Sequence, residues 1–556
     1  MRERARVSGA AAFLIYLGLA AAYLVPPIAS DPFHRHIGGL FTDPQILIWA
    51  FAWWPHAIAH GLNPFYTHAI WAPDGINLAW TTSMPGLALP FTPVTLAFGP
   101  LFAYNVACIL MPALSAWTAF LLCRYLTSET LPALVGGYLF GFSSYLLSAE
   151  LSHIHTAAVF LLPVVALLVV RFLRDDIRTW IFVLALAAAL AWQATLSTEI
   201  LFLLTLGLLV SLVAAAVFVR DTRTQLRRLL VPLGAAYALA AVAVSPLVYF
   251  VVTSSQQTPN PDAAAFSGDL LNFVVPTRAS LGGWWSAGIS AHFPANDIER
   301  GAYLGLPLLV ILAWYWLANR RQPAARLLFV LFVAAVVATL GSWLTVDGDR
   351  LFKLPWTLVA DRRLFENVMP VRFSVFCALL GAVVAALWLA STRRRWTRIV
   401  LAAAALVAVA PNLSWGAWSR RPDVPALFTT GAYRDCIPRD ANVIVFPVGP
   451  RGDSMIWQAD SHFWFRMAGG YITPTVPPSF THPAGIQHLT TADRPSEVTP
   501  AAVRELARLK SASTVVLDAR AARTWLPILR PLGPPQRAEG AFVYHLSGGA
   551  DPACTT

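Results

Sequence analysis

The feature that most constrains this chain is a series of apolar runs of about 17–22 residues, separated by short arginine-rich turns. Wound as a helix at 1.5 Å per residue, such a run covers a hydrocarbon core roughly 30 Å thick. Lipid offers the backbone no hydrogen-bond partners, so these runs are expected to cross as helices. They fall near 8–28, 103–123, 131–147, 156–172, 179–194, 199–219, 229–250, 302–318, 325–341, 373–391 and 397–412, giving eleven expected spans. With 57% hydrophobic and 12% charged residues, the chain has about half the charge of a water-facing domain. That excludes a soluble enzyme, a disordered scaffold and a fibrous protein.

The formal charge of +11 rests on 38 arginines and two lysines, Lys353 and Lys510, dispersed between the runs. With the amino terminus inside, eighteen arginines fall in inner turns and eight basic residues in outer loops of the membrane part. This is a positive-inside asymmetry, not a nucleic-acid footprint. The opening stretch MRERARVSGAAAFLIYLGLAAAYLV has a basic start but no small-residue cleavage site, so it reads as a retained helix rather than a removed signal peptide.

One apolar run is treated differently. Residues 85–100, PGLALPFTPVTLAFGP, contain four prolines, each removing a backbone donor that lipid cannot replace. This run and an amphipathic segment at 43–60 are expected to lie in the outer interface as surface helices of a long loop, 29–102. An odd number of crossings then places residues 413–556 outside.

In that tail the apolar runs shorten to strand length, in VIVFPV, TVVLDA and AFVYHL. One helix is clear in TPAAVRELARLK, where Thr499 caps, Pro500 opens the first turn, and Val503, Leu506 and Leu509 form an apolar face. The reading is an α-helical polytopic membrane body over 1–412 and a small extracytoplasmic α/β domain over 413–556. Of five cysteines, only Cys436 and Cys554 lie where they could pair, and nothing requires it.

Long loops occur only outside, at 29–102, 251–301 and 342–372, so function is expected to face out. In the first, Asp43 precedes Pro44, where its carboxylate can cap a helix with Ile46, Trp49, Ala50, Trp53 and Ala57 on one face. His56 and His60, at i and i+4, have a spacing able to chelate a metal but lack a third ligand nearby. Ionisable residues at outer helix ends are costly and so candidates for function: Glu150, His153 and His155 in SAELSHIHT, Glu199 in LSTEIL, and Arg372 in MPVRF. The alternative for each is structural: helix capping or solvation for the glutamates, and an ion pair with Glu366 for Arg372.

An acidic residue early in a long first outer loop, interfacial helices after it, about eleven spans and an outer carboxy-terminal domain together resemble the GT-C superfamily of integral membrane glycosyltransferases. The string TDPQILIWAFAWWPHAIAHGLNPF resembles the surroundings of the first-loop aspartate in bacterial members, as do FAYN at 102–105, GAYLGLPLL at 301–309 and MPVRF at 369–373. The resemblance implies a multi-pass protein of the bacterial cytoplasmic membrane that takes a polyprenyl-phosphate sugar as donor and a glycan, lipid or protein as acceptor. It implies that Asp43 is the general base in an inverting displacement. Such chemistry asks for an ionised, partly desolvated carboxylate and for cations to hold the leaving phosphate. Arg372 is the first candidate for the phosphate, with Arg362 and Arg363 behind it.

The resemblance also suggests a second acidic residue that positions acceptor or metal, with Glu150 and Glu199 as candidates and His56 and His153 nearby. A divalent cation, magnesium or manganese, is left open, since only geometry decides it. In 251–301, Trp284 and Trp285 after Gly282 and Gly283 could stack on a sugar or form a bending lid, or simply anchor at the interface. Glu299, Tyr303 and His292 are candidates for a cavity rim. No GxxxxGK[ST], HExxH or GxSxG motif is present. Two other readings stand beside the enzyme: a transporter or lipid-glycan flippase, which would place charges within spans, and a nonenzymatic assembly factor.

Overall fold

The computed structural model describes residues 7–219, 223–253, 263–391, 395–472, 476–481, 495–546 and 554. Among the inner-turn arginines, Arg2, Arg4, Arg6, Arg220, Arg393 and Arg394 lie outside these residues. Every one of the eleven apolar runs forms helix. Among the described residues, seven helices are long and apolar enough to cross a membrane: Pro100–Thr127, Ile154–Leu173, Thr179–Leu196, Thr198–Phe218, Arg223–Ala243, Pro323–Leu340 and Pro370–Ala390. Thr130–Gly141 and Ser144–Glu150 together make an eighth candidate, bent by 41°. Gly9–Leu24, Leu306–Asn319 and Arg395–Ala408 are shorter apolar helices. The proline-rich run 85–100 forms two short helices, Pro85–Ala88 and Thr92–Phe98, instead of a span.

The centre of the body is helix Pro100–Thr127, against which Gly9–Leu24, Thr130–Gly141, Leu161–Leu173 and Ser374–Ala390 pack. A β-carbon at Gly141 would strike the Ala116 backbone, so this glycine lets two helices approach closely.

The segment expected at the interface is instead interior. Helix Pro44–Ala59 buries Trp49, Trp53 and Trp54 together with most of its other side chains. Each indole nitrogen donates inside the protein: Trp49 to the Gln458 side chain at 2.8 Å, Trp53 to the Pro64 carbonyl at 3.1 Å and Trp54 to the Ser83 carbonyl at 2.8 Å. One face packs on Pro100–Thr127 and another on helix Ser454–Asp460 of the tail. The tryptophans are therefore core residues and not headgroup markers.

The tail contains a five-stranded sheet: β1 (Asn442–Phe446), β2 (Arg466–Met467), β3 (Ala512–Asp518), β4 (Gln536–Ala538) and β5 (Ala541–His545), in the order β4-β5-β3-β1-β2. β1 runs parallel to β2 and β3, while β5 is antiparallel to β3 and β4. Helix Pro500–Leu509 leads into β3, with the Thr499 hydroxyl accepting from Ala502 N–H at 3.2 Å. Val503 and Leu506 of its expected face are buried, but Leu509, the last residue of the helix, is 41% exposed, because successive three-residue steps drift around a 3.6-residue turn and carry it off the buried face. Cys436 and Cys554 are joined by a disulfide.

The tail is bound to the loop 29–102 by backbone. His36–Ile37 pairs antiparallel with Ser419–Arg420, and Trp71 and Ala72 donate to the Gly469 and Met467 carbonyls at 2.8 and 2.9 Å. These bonds bring residues more than 380 positions apart onto one surface above Asp43.

Candidate functional site

Asp43 is not a helix cap. Its own backbone is helical, at φ −56° and ψ −30°, and its side chain makes no capping bond. Both carboxylate oxygens are engaged elsewhere. Oδ2 accepts from His153 Nε2 at 2.9 Å, and Oδ1 accepts from the Tyr471 hydroxyl. The other nitrogen of His153, Nδ1, meets Glu299 Oε1 at 3.1 Å. Arg372 donates from Nε to Glu299 Oε2 at 3.1 Å, from Nη2 to Glu299 Oε1, and from Nη1 to Glu199. The result is one continuous chain: Tyr471, Asp43, His153, Glu299, Arg372, Glu199.

Each member is delivered by a separate segment. His153 leads into the short helix Ile154–Ala157. Glu199 lies in the first turn of Thr198–Phe218, a helix whose Ser197 side chain accepts from Ile200 N–H. Glu299 sits in a turn clasped by Arg300, which pairs with Asp297 at 3.0 Å and donates to the Phe293 carbonyl at 2.6 Å. Arg372 comes from the 3₁₀ turn Pro370–Phe373 at the mouth of a span, where it is only 5% exposed. A buried guanidinium is tolerable only when paired, and this one is paired twice.

The electrostatics follow from that order. Burial works against charge on His153, but its bonds to Asp43 and Glu299 outweigh burial and raise the imidazole to about 9. Burial alone would lift the Asp43 carboxyl, yet His153 and then Tyr471 hold it below its ordinary value. Glu299 is likewise held below the usual carboxylate range, burial being outweighed by Arg372 and His153. Burial, and then the neighbouring Asp43, push the Tyr471 phenol upward, so it stays a donor. At neutral pH the site holds an imidazolium and an ionised Asp43.

Other expected residues lie elsewhere. Glu150 is fully buried, with Cys108 and Tyr104 beside it. Arg362 and Arg363 are exposed on the loop before Arg372, and the partners of Arg372 are Glu199 and Glu299 rather than Glu366. Trp284 and Trp285 stand 75% and 58% exposed on helix Gly283–Ser290. Gly283 packs closely against the Thr277 carbonyl. His292 pairs with Asp347 at 3.1 Å, while Tyr303 is buried. His56 and His60 stack on each other with ring centroids 4.2 Å apart. Among the described residues no three His, Cys, Asp or Glu side chains converge to hold a metal ion. Tyr471 escaped sequence reasoning altogether, since nothing local ties it to an aspartate 428 residues away.

Below the network an apolar cavity of about 500 Å³ opens among the spans. Its walls include Leu204, on the helix that carries Glu199, and Trp356 and Phe373, the latter adjacent to Arg372.

Comparison with known proteins adds two findings. Residues 8–411 match the family described as a domain of unknown function, DUF6311. The chain belongs to the DUF6311 family. No curated protein matches this DUF6311 chain. Solved structures do. It is similar to the arabinofuranosyltransferase AftD from Mycobacteria, at 16% identity and TM-score 0.58, over 97% of this chain and 40% of that one. It is similar to the oligosaccharyltransferase AglB from Archaeoglobus fulgidus, at 13% identity and TM-score 0.52, over 96% and 74%. ArnT from Cupriavidus metallidurans, bound to undecaprenyl phosphate, matches at 13% identity and TM-score 0.50, over 96% and 98%. The DUF6311 chain thus spans less than half the length of the mycobacterial protein. At these identities the likeness is one of fold: this is a helical multi-pass membrane protein of the GT-C fold.

Proposed function

We propose that this protein is an integral membrane glycosyltransferase that moves a sugar from a polyprenyl-phosphate donor to an acceptor hydroxyl on the outer face of the bacterial cytoplasmic membrane. The observation that carries the reading is Asp43, ionised and held between His153 and Tyr471, at one end of a paired-charge chain whose other end adjoins an apolar cavity. The fold agrees, since the AglB structure holds a dolichol-phosphate and the ArnT structure undecaprenyl phosphate.

His153 holds Oδ2, so the acceptor hydroxyl reaches Asp43 at Oδ1 by displacing the Tyr471 phenol. Asp43 takes the hydroxyl proton while the oxygen forms a bond to the anomeric carbon. The bond from that carbon to the donor phosphate breaks on the opposite face, and the phosphate leaves with the electron pair, inverting the centre. His153, already protonated, cannot serve as base; its charge keeps Asp43 ionised. Arg372 uses three of its five N–H donors on Glu199 and Glu299. The remaining two, one on each Nη, are left for the donor phosphate. The apolar cavity would take the first isoprene units of the lipid.

The test is Asp43→Asn, assayed for transfer from a polyprenyl-phosphate sugar after folding is checked by thermal unfolding. The rate should fall about 10²–10⁴-fold. Near-normal transfer by a folded variant would sink the reading.

A further inference from the structure

A second cleft, of about 1260 Å³, lies between the far end of helix Pro44–Ala59, helix Thr92–Phe98 and the tail. His56, on its wall, is thirteen residues beyond Asp43, or ~20 Å along the helix axis. The cleft is therefore separate from the site described above.

Its two sides differ in chemistry. On the tail side the guanidinium of Arg434 lies over the rings of Tyr433 and Trp464, at 5.5 and 5.9 Å, and that of Arg439 lies over Trp464 at 5.4 Å. Neither arginine makes an ion pair among the described residues, so two cations are held on aromatic platforms with their N–H groups uncommitted. On the opposite side are Leu96 and Phe98, 76% and 55% exposed. Phe98 stands two residues before Pro100, the start of a candidate span, and its ring packs against Phe102 in the first turn at 5.3 Å. Leu96 and Phe98 therefore mark where this helix enters the bilayer, and the arginines stand across the cleft from them. Large exposed apolar residues at that level mark contact with lipid.

We propose that this cleft binds an anionic membrane lipid, its phosphate between Arg434 and Arg439 and its chains along Leu96 and Phe98. The lipid would hold the tail against the membrane. This depends on the membrane placement of Thr92–Thr127 and not on glycosyl transfer.

The test uses the full chain purified in neutral detergent, with thermal unfolding followed as lipid is added. Phosphatidylglycerol should raise Tm where phosphatidylcholine does not. Arg434→Gln with Arg439→Gln should weaken that effect roughly 30-fold in lipid concentration, while Asp43→Asn leaves it unchanged. Equal shifts from both lipids, or no weakening in the double variant, overturn the proposal. Inorganic phosphate or a soluble acidic oligosaccharide reproducing the shift also overturns it, by removing the need for a lipid. Should the double variant not fold, a photoreactive phosphatidylglycerol on the unaltered protein decides. Crosslinks to residues 430–440 or 95–100 support the site, and labelling confined elsewhere overturns it.

Discussion

His153 and His56 begin alike, as histidines beside apolar segments, and end with opposite charge behaviour. His153 stands between two carboxylates and is raised to about 9, against the effect of burial. His56 is driven down to about 4, by burial first and then by His60 and His462, and its ring packs against Phe463. Burial acts in the same direction on both. What differs is the sign of the neighbours, and that makes one an imidazolium in a charge network and the other a neutral aromatic in a cleft wall.

Four substitutions test this contrast, beginning with the largest effect. Arg372→Ala leaves the buried Glu299 with His153 alone and the half-buried Glu199 without its cation, and unfolding should become easier by about 3 kcal/mol, read from denaturant or thermal melts. Glu299→Gln removes one of the two carboxylates that raise His153. The alkaline limb of kcat/KM, expected near 9, should then move to lower pH. The sign for stability is the same: a raised histidine stabilises fully below its unfolded value and loses that contribution as pH climbs through about 9. An alkaline limb that stays in place would detach His153 from the chemistry. Tyr471→Phe removes a bond to the ionised form of Asp43, so the acid limb should shift upward with less than roughly a tenfold change in rate. Last, His56→Ala should change stability by no more than about 1 kcal/mol and leave both limbs where they were.

Much of the site was visible in the sequence, for a physical reason. Asp43, His153, Glu199, Glu299 and Arg372 are ionisable residues in loops or at helix ends that border apolar runs, where charge is costly enough to suggest a purpose. Their pairing was not visible. Glu366, six residues from Arg372, was the structural alternative as its partner, yet the guanidinium is held by Glu199 and Glu299, 173 and 73 residues away. Helix Pro44–Ala59 shows the same limit: its amphipathic pattern announces one buried face, and only the tail's helix Ser454–Asp460, folding over the other, makes it interior.

The sequence by itself determined the helices, the bias of arginines between turns and three of the five strands of the tail's sheet. These depend on run length, on proline and on the alternation of apolar residues, all local properties. Tertiary structure alone decided that Tyr471 closes over Asp43, that His153 bridges two carboxylates and that Cys436 meets Cys554. Such contacts depend on how separate segments pack, and on which charges are forced to share a partly buried space.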